Sequence, residues 1–463
     1  MARITDIPYG DRTIRAELPD RTFIIAPAAQ KRLEPIADLQ GAVREALSNP
    51  LGMPPIPQLV KPGARVTIAF DDLTLPAFGP IRGVAIREVM RELETAGVSP
   101  NNVTLICANA LHRKFRPEEL AVVMGDDLVK AFGTRLFCHD AEDRDNLVHL
   151  GKTPEGYDVE VSRYVTESDL TVYVNAGHLT GFSGGWKSVC VGLSTFKSIR
   201  HHHTPDGMSM SIKNNRMHAV LDKMGELLEE NIPGKIFKID TVESDPYTSA
   251  RIFAGSVWET RKAVLDVWTA HVPSRRDLSK ERYDVVLYGV PAWSPYAIFS
   301  SMNPILTLIS SGLGYLGGTI QALGKQGCTV IMATPCPDEW DRVHHPSYPD
   351  VWDRVLTATR DPYEIERTYT DHYAHHEEMI DLYRNHYAFH PIHGIFATQP
   401  LRRLTHCGKV IVAGAKDPGV PEHLGFHAAG TVEDALDMAR GIHGPGFSIA
   451  YAQHPVAPTK VTM

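Results

Sequence analysis

The chain has 463 residues, a formal net charge of −8, and a composition that is 43% hydrophobic and 22% charged. Its length exceeds the roughly 250 to 300 residues at which a single core stops growing, so two domains are expected. The acidic balance argues against nucleic acid or an anionic membrane as partner. No apolar run reaches the roughly 20 residues of a membrane-spanning helix, and the first residues lack the basic and apolar stretches of a secretory signal, so a cytoplasmic protein is expected.

Continuous β-branched runs alternate with helical patterns, which predicts an α/β protein whose strands are buried on both faces of largely parallel sheets. In chain order, Arg65 to Phe70 and Asn102 to Cys107 read as strands. The helix between them carries Ile81, Val84, Ala85, Val89 and Leu93 on one face and stops before Gly97. Leu170 to Asn175 is a third strand. A helix through Leu221, Met224, Leu227 and Leu228 closes at Asn231, Pro233 and Gly234, ahead of the strand KIFKID. The polar stretch PSRRDLSKER marks a boundary. Beyond it, Tyr283 to Val290, Cys328 to Ala333 and Lys409 to Ala413 read as strands, and Pro304 to Leu323 as a Gly-interrupted helix. The expected organisation is an N-terminal cofactor-binding domain over 1–275 and a C-terminal α/β domain over 283–420, with an active site in the cleft between them. A tail over 421–463 is expected to pack back on the N-terminal domain. The six cysteines form no CxxC pair and read as buried free thiols.

Ligands of open α/β sheets bind beyond the carboxyl ends of strands. Three segments stand there: Asp71-Asp72-Leu73-Thr74-Leu75-Pro76, then His112-Arg113-Lys114, then His178 with Ser183-Gly184-Gly185-Trp186-Lys187. An Asp pair also serves as an ordinary helix cap, and a lone histidine as a hydrogen-bonded surface group. The Gly-Gly turn can bring backbone amides up to a phosphate, but it lacks Walker A spacing. The triplet His201-His202-His203 cannot aim three ligands at one metal, because adjacent residues point in different directions.

These residues resemble the nickel-dependent lactate racemase family, whose cofactor is a nickel-pincer nucleotide. The family pattern of a histidine, a short spacer, G-[FY]-S-G-G-x-K and a later histidine run matches His178, Gly181 to Lys187 and Ser198 to His203. The resemblance implies that Lys187 carries the cofactor covalently and that His203 ligates nickel. It also places Asp72, Thr74, Ser183, Gly184 and Gly185 around the cofactor, and makes His112 and His178 the two proton-transfer groups. The partners it implies are a small hydroxy acid or polyol and the proteins that synthesise the cofactor. The substrate-facing positions would be Leu75, Arg113, Ser300 and Asn303. Leu75 stands where the family has a carboxylate-gripping arginine and Asn303 where it has a lysine, which implies a substrate other than lactate. The expected activity is therefore a racemase or epimerase working by reversible hydride transfer. Two alternatives are a non-catalytic ligand-binding homologue and a nicotinamide-dependent dehydrogenase; against the latter, no GxGxxG follows a first strand.

Overall fold

The computed structural model describes residues 3–25, 33–176, 182–207, 215–271 and 281–453. The chain divides into two units, one of residues 31–272 with 380–390, the other of residues 1–30, 273–379 and 391–462.

The first unit is built on a six-stranded sheet in the order Thr248–Gly255, Ile236–Asp245, Leu170–Asn175, Val66–Asp71, Val103–Ala108, Leu136–Cys138. All neighbours run parallel except the Thr248 edge strand. Ile68, Phe70, Leu105, Ile106, Val172 and Val174 are fully buried. Each such side chain contributes about 1.5–3 kcal/mol relative to exposure, which is why these runs form the centre of the sheet. The helix Ile81–Thr95 buries Ile81, Ala85, Ile86, Val89 and Leu93; Ile86 takes the place expected for Val84. The helix Arg216–Asn231 starts at Asn215, whose side chain accepts from the His218 amide, and buries Leu221, Met224 and Leu228, leaving Leu227 partly exposed.

The second unit carries a six-stranded sheet in the order His427–Ala429, Cys407–Ala413, Gly324–Ala333, Tyr283–Gly289, Ile449–Ala452, Phe23–Ile25, parallel throughout. Two boundaries therefore differ from those expected. The expected tail contributes a strand to this unit: Ile449–Ala452 inserts beside Tyr283–Gly289 in this sheet. Residues 3–25 also belong here. Their hairpin, Arg3–Tyr9 with Arg12–Leu18, turns Ile7, Tyr9, Ala16 and Leu18 into a core with Val285, Leu287, Ile331 and Ile411. The segment expected as one interrupted helix is a π-type helix, Ile305–Tyr315, followed by an α-helix, Gly318–Leu323. All six cysteines are free, four of them buried. No helix among the described residues is long and apolar enough to cross a membrane.

Candidate functional site

In the first sheet, successive strands run outward on one side from Val66–Asp71 to Val103–Ala108 and Leu136–Cys138, whereas Leu170–Asn175 lies on the other side. The topological switch thus falls between Val66–Asp71 and Leu170–Asn175, and a crevice at their carboxyl ends is where such sheets take ligands. Asp71 ends the first of these strands and Asn175 the second.

The Asp71-Asp72 turn is fastened from below. Arg82, fully buried in the first turn of its helix, donates to the carbonyls of Asp71 and Asp72 at 3.0 Å each, and to that of Ala77. Tyr173 donates to Asp71 Oδ1 at 2.8 Å. Asp71 Oδ2 is buried without a hydrogen-bond partner. Burial pushes the Asp71 carboxyl up to about 7, against the opposing pull of Arg82, Tyr173, Lys238 and Lys187. Asp72 behaves oppositely. Burial would raise it, but the facing His112 ring and the bonds from Thr74 outweigh that and hold it below the usual carboxylate range. Asp72 Oδ1 accepts from the Thr74 amide at 3.1 Å and hydroxyl at 2.6 Å, and Asp72 Oδ2 lies 2.7 Å from His112 Nδ1. With Nδ1 donating to that carboxylate, the Nε2 of a neutral His112 is left as the basic nitrogen.

The glycine turn lies on the other side of the switch. Gly184 and Gly185 have φ of +83° and +56°, and a Cβ on Gly185 would sit 2.4 Å from Arg261 Cδ. Two cations brace this turn through its carbonyls: Arg261 donates to Ser183 O at 2.6 Å and Lys238 to Gly185 O at 3.0 Å. Trp186 is fully buried, its ring against Gly225, where a Cβ would come within 2.2 Å. The half-buried Lys187 follows, its ammonium 4.6 Å from the Phe182 ring centroid. Its surroundings push its pKa down, desolvation first and then Lys238, with Asp71 and Asp72 resisting.

The histidine triplet divides as adjacency on a turn requires. His201 faces Asp158, 3.2 Å from its carboxylate. His202 and His203 meet through their Nδ1 atoms at 2.8 Å, one nitrogen donating to the other. Burial drives both pKa values down, that of His202 to about 3. His202 and Lys187 push His203 further in that direction. His202 Nε2 and His218 Nδ1 are buried without hydrogen-bond partners. No three His, Cys, Asp or Glu side chains cluster as a metal cage among the described residues.

The structure therefore brings together Asp72, Thr74, His112, Ser183, Gly184, Gly185, Lys187 and His203 within one unit. His178 lies outside the described residues. Leu75 is half-buried in the Asp71 turn. Arg113, expected to face substrate, is instead a structural group: it is 1% exposed, forks onto both Glu119 oxygens at 2.7 and 3.0 Å, and lies over Phe115. Ser300 and Asn303 belong to the second unit. Ser300 donates to Asp341 at 2.6 Å, while Asn303 caps the π-type helix by accepting from the Leu306 amide and keeps a buried Nδ2 without a partner. Sequence reading missed Tyr173, Lys238, Asp240 and Arg261. The signal was available in KIFKID, where Lys238 and Asp240 point to one face of a strand otherwise rich in apolar residues; they pair at 3.2 Å with no exposure.

Residues 9–216 match the lactate racemase N-terminal domain. The chain is 26% identical over 226 residues to the lactate racemase of Lactiplantibacillus plantarum, covering 46% of this chain and 51% of that one. It is 27% identical over 229 residues to the lactate racemase of Thermoanaerobacterium thermosaccharolyticum, covering 47% and 52%. The matched part of the chain thus spans about half the length of these relatives. In fold, the chain is similar to the lactate racemase apoprotein of T. thermosaccharolyticum, with a TM-score of 0.68 and 20% identity over 97% of this chain and 98% of the other. A protein from Thermotoga maritima is similar with a TM-score of 0.51 and 14% identity, over 90% and 97%.

Proposed function

We propose that this protein is a racemase or epimerase of a 2-hydroxy acid or polyhydroxylated compound other than lactate, dependent on a nickel-pincer nucleotide. The observation that carries the reading is the pairing, in one unit, of an amine and an imidazole that are both biased toward their neutral forms: Lys187 and His203. A neutral amine is the nucleophilic form needed for a covalent bond to a cofactor, and a neutral imidazole is the metal-binding form.

The residues present fit such a group. The left-handed Gly184-Gly185 turn gives close backbone approach, and the unpartnered Nε2 of His202 and Nδ1 of His218 are buried polar atoms in the same unit. Lys187 would hold the cofactor and His203 the nickel, with Asp72, Thr74 and Ser183 around them. When bound, the nickel-pincer nucleotide supplies a reversible hydride acceptor. His112 takes the substrate hydroxyl proton at Nε2, and the Asp72 carboxylate opposite Nδ1 stabilises the imidazolium that results. His178 plays the same part for the other enantiomer. With leucine at 75 and asparagine at 303, neither position offers the charge-assisted grip that a small carboxylate needs. Asparagine offers neutral hydrogen bonds in place of a cation, and leucine only an apolar surface. Loading requires partner proteins that make the cofactor.

The test is intact mass together with nickel content after co-expression with cofactor-synthesis proteins. An adduct on the peptide holding Lys187, with nickel bound, is expected. An adduct on another lysine, or full activity without either, overturns the reading.

A further inference from the structure

The loop after Val103–Ala108 carries His112, and its backbone is under strain. Ala110 adopts φ of +51°, a left-handed conformation that a residue with a Cβ holds only when its surroundings enforce it. The Gly192 carbonyl accepts from the Ala110 amide at 3.0 Å, and further enforcement comes from residues 380–390, which lie some 270 positions further along the chain yet fold into this unit. Tyr383, fully buried, accepts from the Ala141 amide at 2.9 Å and donates to the Ala110 carbonyl at 3.2 Å. The His390 amide donates to the Leu111 carbonyl at 3.0 Å. Phe389 sets its ring 5.7 Å from that of His112, tilted by 58°. Lys114 donates to the Arg384 carbonyl at 2.7 Å, and Arg116 lies over the Tyr387 ring. His390 in turn lies 3.3 Å from Glu142, one residue beyond Ala141.

We propose that residues 380–390 form a clasp that positions His112, with Tyr383 as its central positioning residue. The proposal rests on the reading of His112 as a proton-transfer group. Asp72 fixes one nitrogen of the ring, but the ring still travels with its loop, and the clasp holds that loop at Ala110, Leu111, Lys114 and Arg116 while Phe389 limits the tilt. Burial keeps the Tyr383 phenol well above the ordinary tyrosine range, so the hydroxyl remains a donor to Ala110 across the working pH. A displacement of about 1 Å in a catalytic group costs on the order of 10²-fold in rate, and sites hold their geometry through just such supporting contacts.

The test compares Tyr383→Phe, Phe389→Leu and His112→Ala with the wild type as full-length chains. In unloaded protein, Tyr383→Phe removes one hydroxyl and should speed amide hydrogen exchange across residues 109–113 by about fivefold or more, while residues 170–175 stay unchanged. In protein loaded by co-expression, turnover is measured on whichever of lactate, malate, mandelate or gluconate the wild type converts fastest. Tyr383→Phe should lower kcat about tenfold with KM within about twofold. Phe389→Leu should lower kcat about threefold with KM likewise preserved, which keeps the test decisive if Tyr383→Phe fails to fold. Unchanged exchange, or wild-type kcat in both variants, overturns the clasp. Full turnover in His112→Ala overturns instead the reading on which it rests, and the exchange result separates the two failures.

Discussion

At the carboxyl ends of one parallel sheet stand Asp71 and Asn175, with Asp240 in register beside Asn175; at the ends of the other stand Gly289, Ala333, Ala413 and Ala452. Both sheets have six strands and buried apolar centres. The difference lies in what the fold is asked to hold. The second sheet ends in small groups that demand no partners. The first sheet ends in ionisable groups that are nearly or fully buried, and each needs another: Tyr173 for Asp71, His112 for Asp72, Lys238 for Asp240. Buried charges persist only with such partners, so the first sheet carries a partnered polar network at its carboxyl ends and the second does not.

Five substitutions can break or sharpen that contrast. The largest effect is expected for Lys187→Ala, which removes the proposed attachment point. Nickel content and the mass adduct should both vanish, and turnover should fall by about 10³-fold or more, the scale of losing a covalent catalytic group. His112→Ala should follow with a loss of about 10²-fold while nickel stays bound, read by metal analysis beside chiral assay. His178→Ala should do the same.

The third test concerns pH. Folding lifts the Asp71 carboxyl from 3.8 to about 7, so the native state binds more protons than the unfolded state between those values. Stability therefore falls as pH rises through that window and levels off above it. Asp71→Asn keeps an acceptor for Tyr173 and removes the loss, so relative to wild type it should gain about 2–4 kcal/mol at pH 8 and almost nothing at pH 4. Urea unfolding of both proteins at the two pH values measures this. His218 runs the other way. Burial takes its pKa down to about 2, so its contribution is lost as pH falls below about 6.5, and Asp71→Asn should leave that acid limb unchanged. A gain for Asp71→Asn that is equal at pH 4 and pH 8 would show that burial is not what perturbs this group.

The smallest effect is expected at the substrate. Leu75→Arg should raise turnover of lactate relative to larger hydroxy acids by about tenfold, the worth of one charge-assisted hydrogen bond. A panel of lactate, malate, mandelate and gluconate decides it, and a wild type that already prefers lactate rejects the argument from Leu75 and Asn303.

Much of this was legible in the residues. The runs RVTIAF, NVTLIC and LTVYVN announce a buried parallel sheet, because only strands covered on both faces are apolar at every position. The strand-end rule then singled out Asp72, His112 and Lys187, and the family resemblance separated His203 from its two neighbours. Arg113 misled, since an arginine beside a functional histidine looks like an anion contact until Glu119, six residues on, is seen to take both its arms. The units misled as well. Phe23–Ile25 and Ile449–Ala452 are too short to show a period, and they find places in a sheet whose other strands lie far away in the chain.

By itself, the sequence determined what local rules can encode: the strand runs, the glycine turn that requires left-handed backbone, the capped helices, and the residue types that carry chemistry. Only the tertiary structure decided which ionisable groups become buried partners, because burial depends on neighbours that no spacing specifies. It set Lys238 behind the Lys187 turn, raised Asp71 while lowering Asp72 one residue away, and brought Tyr383 and Phe389 against the His112 loop. These are effects of desolvation and distance, and both arise only when remote segments share one core.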